Sequence, residues 1–104
     1  MSAVVITAVI TPAEGKQDAV REAFQRLLPI VHQEDGCDLY ALHESDGKFV
    51  TIEKWASQEA FEGHANGDSL QKAGVDVASL AAGPSDWMLL TPVPSSDGSP
   101  KGEL

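Results

Sequence analysis

A single cysteine, Cys37, stands among 104 residues, so no intrachain disulfide, cysteine-based metal site or redox pair can be assembled from this chain. A reducing, cytoplasmic setting is the default expectation. Cationic residues are also scarce: seven Lys and Arg face sixteen Asp and Glu, for a net charge of −9. Those seven are scattered, which removes nucleic acid and anionic membrane surfaces as expected partners, since both require a basic footprint. No apolar run approaches the ~20 residues of a membrane span. The stretch from Met1 to Thr7 lacks the basic region of a signal peptide and reads as the start of a strand. Gly15, Gly36 and Gly47 form neither a dinucleotide fingerprint nor a phosphate loop. No serine sits in a nucleophile elbow. His32, His43 and His64 fall on different predicted elements at no ligand spacing, so neither a metal nor a cofactor site is expected.

The chain has room for one domain, and at 42% hydrophobic and 22% charged it has the composition of a folded one. Ala3 to Thr11 reads as a strand covered on both faces. Thr11-Pro12-Ala13-Glu14 offers a capping box, with Gly15 able to delay the helix by a turn. Val20, Ala23, Phe24, Leu27, Leu28 and Val31 then trace one apolar helical stripe, with Glu22 and Arg26 paired outside it and Pro29 near its end. Cys37 to Ser45 and Lys48 to Ala56 form a hairpin about Asp46-Gly47. Phe49, Thr51, Glu53 and Trp55 share one face of the second hairpin strand, and Val50 and Ile52 the other. Ser57 caps a helix to Asn66, a weaker helical stretch runs from Asp68 to Ala82, and a final strand covers Asp86 to Val93. This β-α-β-β-α-β order predicts an α+β, ferredoxin-like fold with a four-stranded antiparallel sheet. Two helical layers cover one sheet face only, so an apolar opposite face predicts a homodimer packed sheet on sheet. Residues 1–93 form the expected domain and 94–104 a disordered tail of Ser, Pro, Gly and charge.

Candidate chemistry gathers at Trp55 and His64, on a strand end and the helix that follows it. Trp55 carries an indole N–H that needs a partner when buried, and His64 titrates near neutrality. Each also has a plainer reading, as a core tryptophan at a strand end and as a helix-end histidine favoured by the dipole. Thr51 and Glu53 share Trp55's face, and Phe24, Leu28 and Phe61 are the apolar groups expected around the same cleft. Tyr40 and His43 have opposite parity, so at most one of them faces it.

The run Phe49-Val50-Thr51-Ile52-Glu53-Lys54-Trp55, with Ala60-Phe61, His64 and the preceding Glu34-Asp35-Gly36-Cys37-Asp38-Leu39-Tyr40, resembles the antibiotic biosynthesis monooxygenase family, including its quinol monooxygenase-like members. There an acidic-Gly-Cys segment opens the second strand, a Glu-x-Trp closes the third, and a His lies nine residues after the Trp, as His64 follows Trp55. The resemblance covers about residues 3 to 93. It implies a dimeric α/β barrel holding a small aromatic or hydrophobic ligand beside Trp55 and His64. It also implies a cofactor-independent monooxygenase of quinols or anthrone-like phenols, with His64 as base and Trp55 orienting the substrate. The haem-degrading branch has an Asn on the first strand, but the one Asn here is Asn66. The polyketide-oxidising branch has an Asn where this chain has Thr51. A non-catalytic dimeric protein binding a small hydrophobic or signalling molecule is the alternative, and an isomerase of a small polar signal a third.

Overall fold

The computed structural model describes residues 3–104. Four strands, β1 (Val4–Ile10), β2 (Cys37–Ser45), β3 (Lys48–Trp55) and β4 (Asp86–Leu90), form one antiparallel sheet in the order β2-β3-β1-β4. Helices α1 (Gln17–Val31), α2 (Gln58–Asn66) and α3 (Gly74–Leu80) complete the ferredoxin-like order. A π-helical turn, Ser69–Ala73, leads into α3.

Pairing register divides the sheet into two faces, because residues directly opposite in an antiparallel pair point the same way. Ile6 lies opposite Glu53 and Leu89, Ala8 opposite Thr51 and Trp87, and Tyr40 opposite Glu53. These residues face the helices, with Phe49, Thr51, Glu53 and Trp55 all buried. The other face carries Val5, Thr7, Val9, Val50 and Ile52, joined by Met88 and Leu90 on β4. The Asp46-Gly47 turn has positive φ at both residues, +52° and +79°, as the hairpin signal requires.

The apolar stripe of α1 buries Val20, Ala23, Phe24, Leu27 and Val31, while Leu28 lies at its half-buried margin. The helix starts later than the capping box suggests. Gly15 turns with φ +78°, and the segment before it is spent on backbone pairing: Ala13 N–H donates to Leu80 O at 2.8 Å and Ala82 N–H to Thr11 O at 2.8 Å. That stitching ties the start of α1 to the end of α3 and leaves Thr11 unable to cap. Arg26 reaches Asp76 of α3 at 4.0 Å rather than pairing with Glu22. β4 ends at Leu90, earlier than Val93, because Pro92 and Pro94 lack the N–H a ladder needs. Past it, residues 94–104 follow a path with one 3₁₀ turn, Pro100–Gly102, and Leu104 O accepts from Lys54 Nζ at 2.6 Å. Among the described residues, no helix is long and apolar enough to cross a membrane.

Candidate functional site

A cavity of about 350 Å³ opens between the helix-facing side of the sheet and the helices, within the size range of small-molecule sites. Its walls are mostly apolar. Ile6, Ala8 and Ile10 come from β1, Phe24 and Leu27 from α1, Leu70 from the π-helical turn, and Val77 and Ala78 from α3. Phe61 and the half-exposed Trp87 meet at one side, with ring centroids 5.8 Å apart. Polar atoms enter the lining through Tyr40, Thr51, Glu53 and His64, apart from Ser85.

How His64 reaches this wall follows from Gly36. With φ +77°, Gly36 adopts a conformation that L side chains rarely take, and a Cβ there would lie 2.5 Å from Ala60 Cβ. Ala56 N–H bonds Gly36 O at 2.8 Å, and Ser57 caps α2 by accepting from Ala60 N–H at 3.1 Å. The helix therefore sits directly on the loop entering β2. Ala60 and His64 are one helical step of four apart, on the same face. That seating brings His64, 4% exposed, to Glu34: Nδ1 lies 2.9 Å from Glu34 Oε2. A carboxylate only accepts, so Nδ1 carries the proton and Nε2 is left as the ring's other nitrogen, with no protein partner among the described residues.

Trp55 does not line the cavity. It is fully buried and stacks behind the imidazole, with ring centroids 4.5 Å apart at 28°, and its Nε1–H donates to Glu53 Oε1 at 3.1 Å. The other oxygen of Glu53 accepts from Thr51 Oγ1 at 2.8 Å. The alternate positions Thr51, Glu53 and Trp55 thus form one hydrogen-bonded row along β3, which lets a buried carboxylate keep its charge partnered. Tyr40 is the hairpin residue that faces the cleft, its ring 5.5 Å from that of His64. His43 pairs with Val50 on the opposite sheet face. Burial, reinforced by the negative charge of Glu53 and Glu34, pushes the Tyr40 hydroxyl well above the usual phenol range.

Of the residues expected around the site, Thr51, Glu53, Phe24, Phe61 and His64 line the cavity. Leu28 is the exception, because its position on the stripe turns it past the cavity wall onto the core margin. Two contributors escaped the sequence reading. Glu34 lies two residues before Gly36, and only that glycine's need for a close approach hints at what its side chain meets. Trp87 shares strand parity with Leu89, a signal available but read only as core. Among the described residues no group of three or more His, Cys, Asp or Glu could hold a metal ion.

The arrangement has known relatives. Rv0793 from Mycobacterium tuberculosis superposes with a TM-score of 0.80 at 26% identity, covering 91% of this chain and 99% of that one. A candidate antibiotic biosynthesis monooxygenase from Caulobacter crescentus gives 0.80 at 25% identity, covering 88% of this chain and 91% of its own. PA3566 from Pseudomonas aeruginosa shares the fold with a TM-score of 0.79 at 24% identity, over 89% and 96% of the two chains. No curated protein matches the sequence. The family model for antibiotic biosynthesis monooxygenases matches residues 3–74, a span that contains β1, the hairpin, the Gly36 seat and the Glu34–His64 pair. On that match and this fold, the chain belongs to the antibiotic biosynthesis monooxygenase family.

Proposed function

We propose that this protein is a cofactor-independent oxygenase that acts, as a homodimer, on a small electron-rich phenol, a quinol or anthrone-like ring. The observation that carries the reading is the Glu34–His64 hydrogen bond at the wall of an apolar cavity. It fixes the imidazole with a basic nitrogen to spare, as a general base requires. His64 Nε2 takes the phenolic proton, and the phenolate spreads its charge to a ring carbon that bears hydrogen. That carbon bonds to O₂, and the imidazolium returns its proton to the peroxide. Loss of the ring hydrogen with O–O cleavage then leaves a carbonyl and releases water. One oxygen atom ends in the product and one in water, and the electrons taken up by O₂ are those the ring loses, so no external reductant enters the balance.

The homodimer rests on the second sheet face. Val5, Val9, Val50 and Ile52 on the central strands, with Met88 and Leu90 beside them, present an apolar surface that no helix of this chain covers. A second copy of the same face is the simplest cover. A non-catalytic dimeric binding protein is the second reading. It is favoured by Trp55, whose N–H is committed to Glu53 instead of the cavity.

Oxygen uptake with a panel of quinols and anthrones separates the two. The oxygenase reading expects turnover above spontaneous autoxidation in metal-free, flavin-free protein, and a loss of ~10²–10⁴-fold in His64→Ala. Trp55→Phe, acting only through Glu53 and the ring stack, slows turnover less. Full activity in His64→Ala, or its abolition in wild type by a chelator, overturns the mechanism; no turnover with any substrate leaves the binding protein.

A further inference from the structure

Hydrogen-bond accounting around the cavity gives an unbalanced result. Nδ1–H of His64 is spent on Glu34, the Thr51 hydroxyl proton on Glu53, and the Trp55 indole N–H on Glu53. What these groups still offer the cavity are lone pairs: Nε2 of neutral His64, the Thr51 oxygen, and the unused acceptor sites of Glu53, since a carboxylate has about four and here uses two. Only the Tyr40 hydroxyl, which has no protein partner among the described residues, can still donate. No Lys or Arg lines the cavity, so the imidazolium formed by proton transfer from the ligand is the one cation available within it.

We infer that the cavity selects uncharged ligands that donate hydrogen bonds, hydroxylated aromatic rings, against the same rings carrying a carboxylate or stripped of their hydroxyl protons, with Glu53 as the residue that sets this preference. The inference deepens the oxygenase reading and shares its site, but it concerns recognition. A phenol supplies the missing donors to Glu53 and His64. An added carboxylate brings a second negative charge beside buried Glu53 with no counter-charge to meet it. A ring bearing only carbonyl or ether oxygens leaves acceptor facing acceptor, the mismatch that makes hydrogen-bonding sites selective. The same logic favours release of a quinone product, which has lost the donor that held its precursor.

The test is anaerobic calorimetric titration of wild-type protein with a naphthalenediol, its dimethyl ether and the corresponding naphthalenediol carboxylate. Without oxygen, binding is read apart from turnover. The diol is expected to bind at least about tenfold more tightly than either analogue. Glu53→Gln supplies an amide donor and removes the charge, so it should narrow both ratios; the larger size of the ether weighs equally in both proteins and cancels in the comparison. Thr51→Val, which retains the Glu53 charge, should keep the discrimination against the carboxylate, and it serves if the Gln variant does not fold. Equal or tighter wild-type binding of the carboxylate or the ether overturns the inference, as does a ratio unchanged in a folded Gln variant. Selective binding of the diol without oxygen uptake on admitting air would sustain it while removing the oxygenase.

Discussion

Tyr40 is the chain's one tyrosine, so the ionisation of a cavity hydroxyl can be followed spectroscopically without deconvolution. It is 6% exposed and stands opposite Glu53. Burial first, then the charges of Glu53 and Glu34, hold its pKa above the ordinary value of about 10. Below that pH the folded and unfolded chains both keep the proton, so Tyr40 contributes no pH dependence and its stabilisation is fully present. Above it, the unfolded chain releases the proton while the folded chain retains it, and stability falls as pH rises towards the folded value. For one proton the slope is about 1.4 kcal/mol per pH unit. The assay is alkaline titration in a Cys37→Ser background, because burial also pushes the Cys37 thiol up and would add a slope of its own. Tyrosinate absorbance is expected to appear only as the circular dichroism of the fold collapses. Urea denaturation at stepped pH should show Tyr40→Phe losing that slope relative to the background, with the exposed lysines cancelling in the difference. Tyrosinate titrating near pH 10 in protein that is still folded would refute the argument, since it would mean that neither the burial nor the neighbouring carboxylates act on this hydroxyl.

Glu34→Gln keeps an acceptor for Nδ1 but removes its charge, and should cost about 1–2 kcal/mol in urea denaturation; an unchanged midpoint would show the carboxylate is not bonded to His64 in solution. Gly36→Ala should be more damaging than Gly15→Ala. Both adopt positive φ, at a backbone cost of roughly 1–2 kcal/mol, but Gly15 has open space where Gly36 would place a Cβ 2.5 Å from Ala60 Cβ. Equal melting temperatures would mean α2 is not seated there. Ile52→Asp should convert a dimer of about twice the 11.0 kDa chain mass into a monomer by light scattering, and wild-type protein already at the chain mass would remove the sheet-face dimer.

The fold was legible because its signals are local and agree with one another. The stripe on α1, the Asp46-Gly47 turn and the Ser57 cap each specify an element, and strand parity correctly put Phe49, Thr51, Glu53 and Trp55 on one face. The start of α1 was less legible because a tertiary fact decides it: residues 11–13 bond to the far end of α3, and no local pattern reports that. The site divides the same way. His64 and Glu53 were visible as residue types at a strand–helix corner, whereas the Glu34–His64 contact spans thirty residues and depends on how closely α2 approaches Gly36. Trp55 shows how chemistry read from a residue type can be redirected: its N–H was rightly judged to need a partner, and the partner is a neighbour on its own strand.

The π-helical turn at Ser69–Ala73 bears on how such a pocket can change over evolutionary time. A π turn holds about one residue more than an α turn, and such an excess residue is removable by a single codon deletion. Loss of one residue would let the segment rewind as α-helix and rotate everything downstream by ~100°, the angle per residue of an α-helix. Val77 and Ala78 would swing off the cavity wall and other faces of α3 would replace them, while the sheet, the Gly36 seat and the Glu34–His64 pair stayed as they are. Ligand shape and acid–base chemistry are thus encoded in separate parts of the chain, so relatives of equal catalytic makeup can diverge in what they admit through length changes in this one segment.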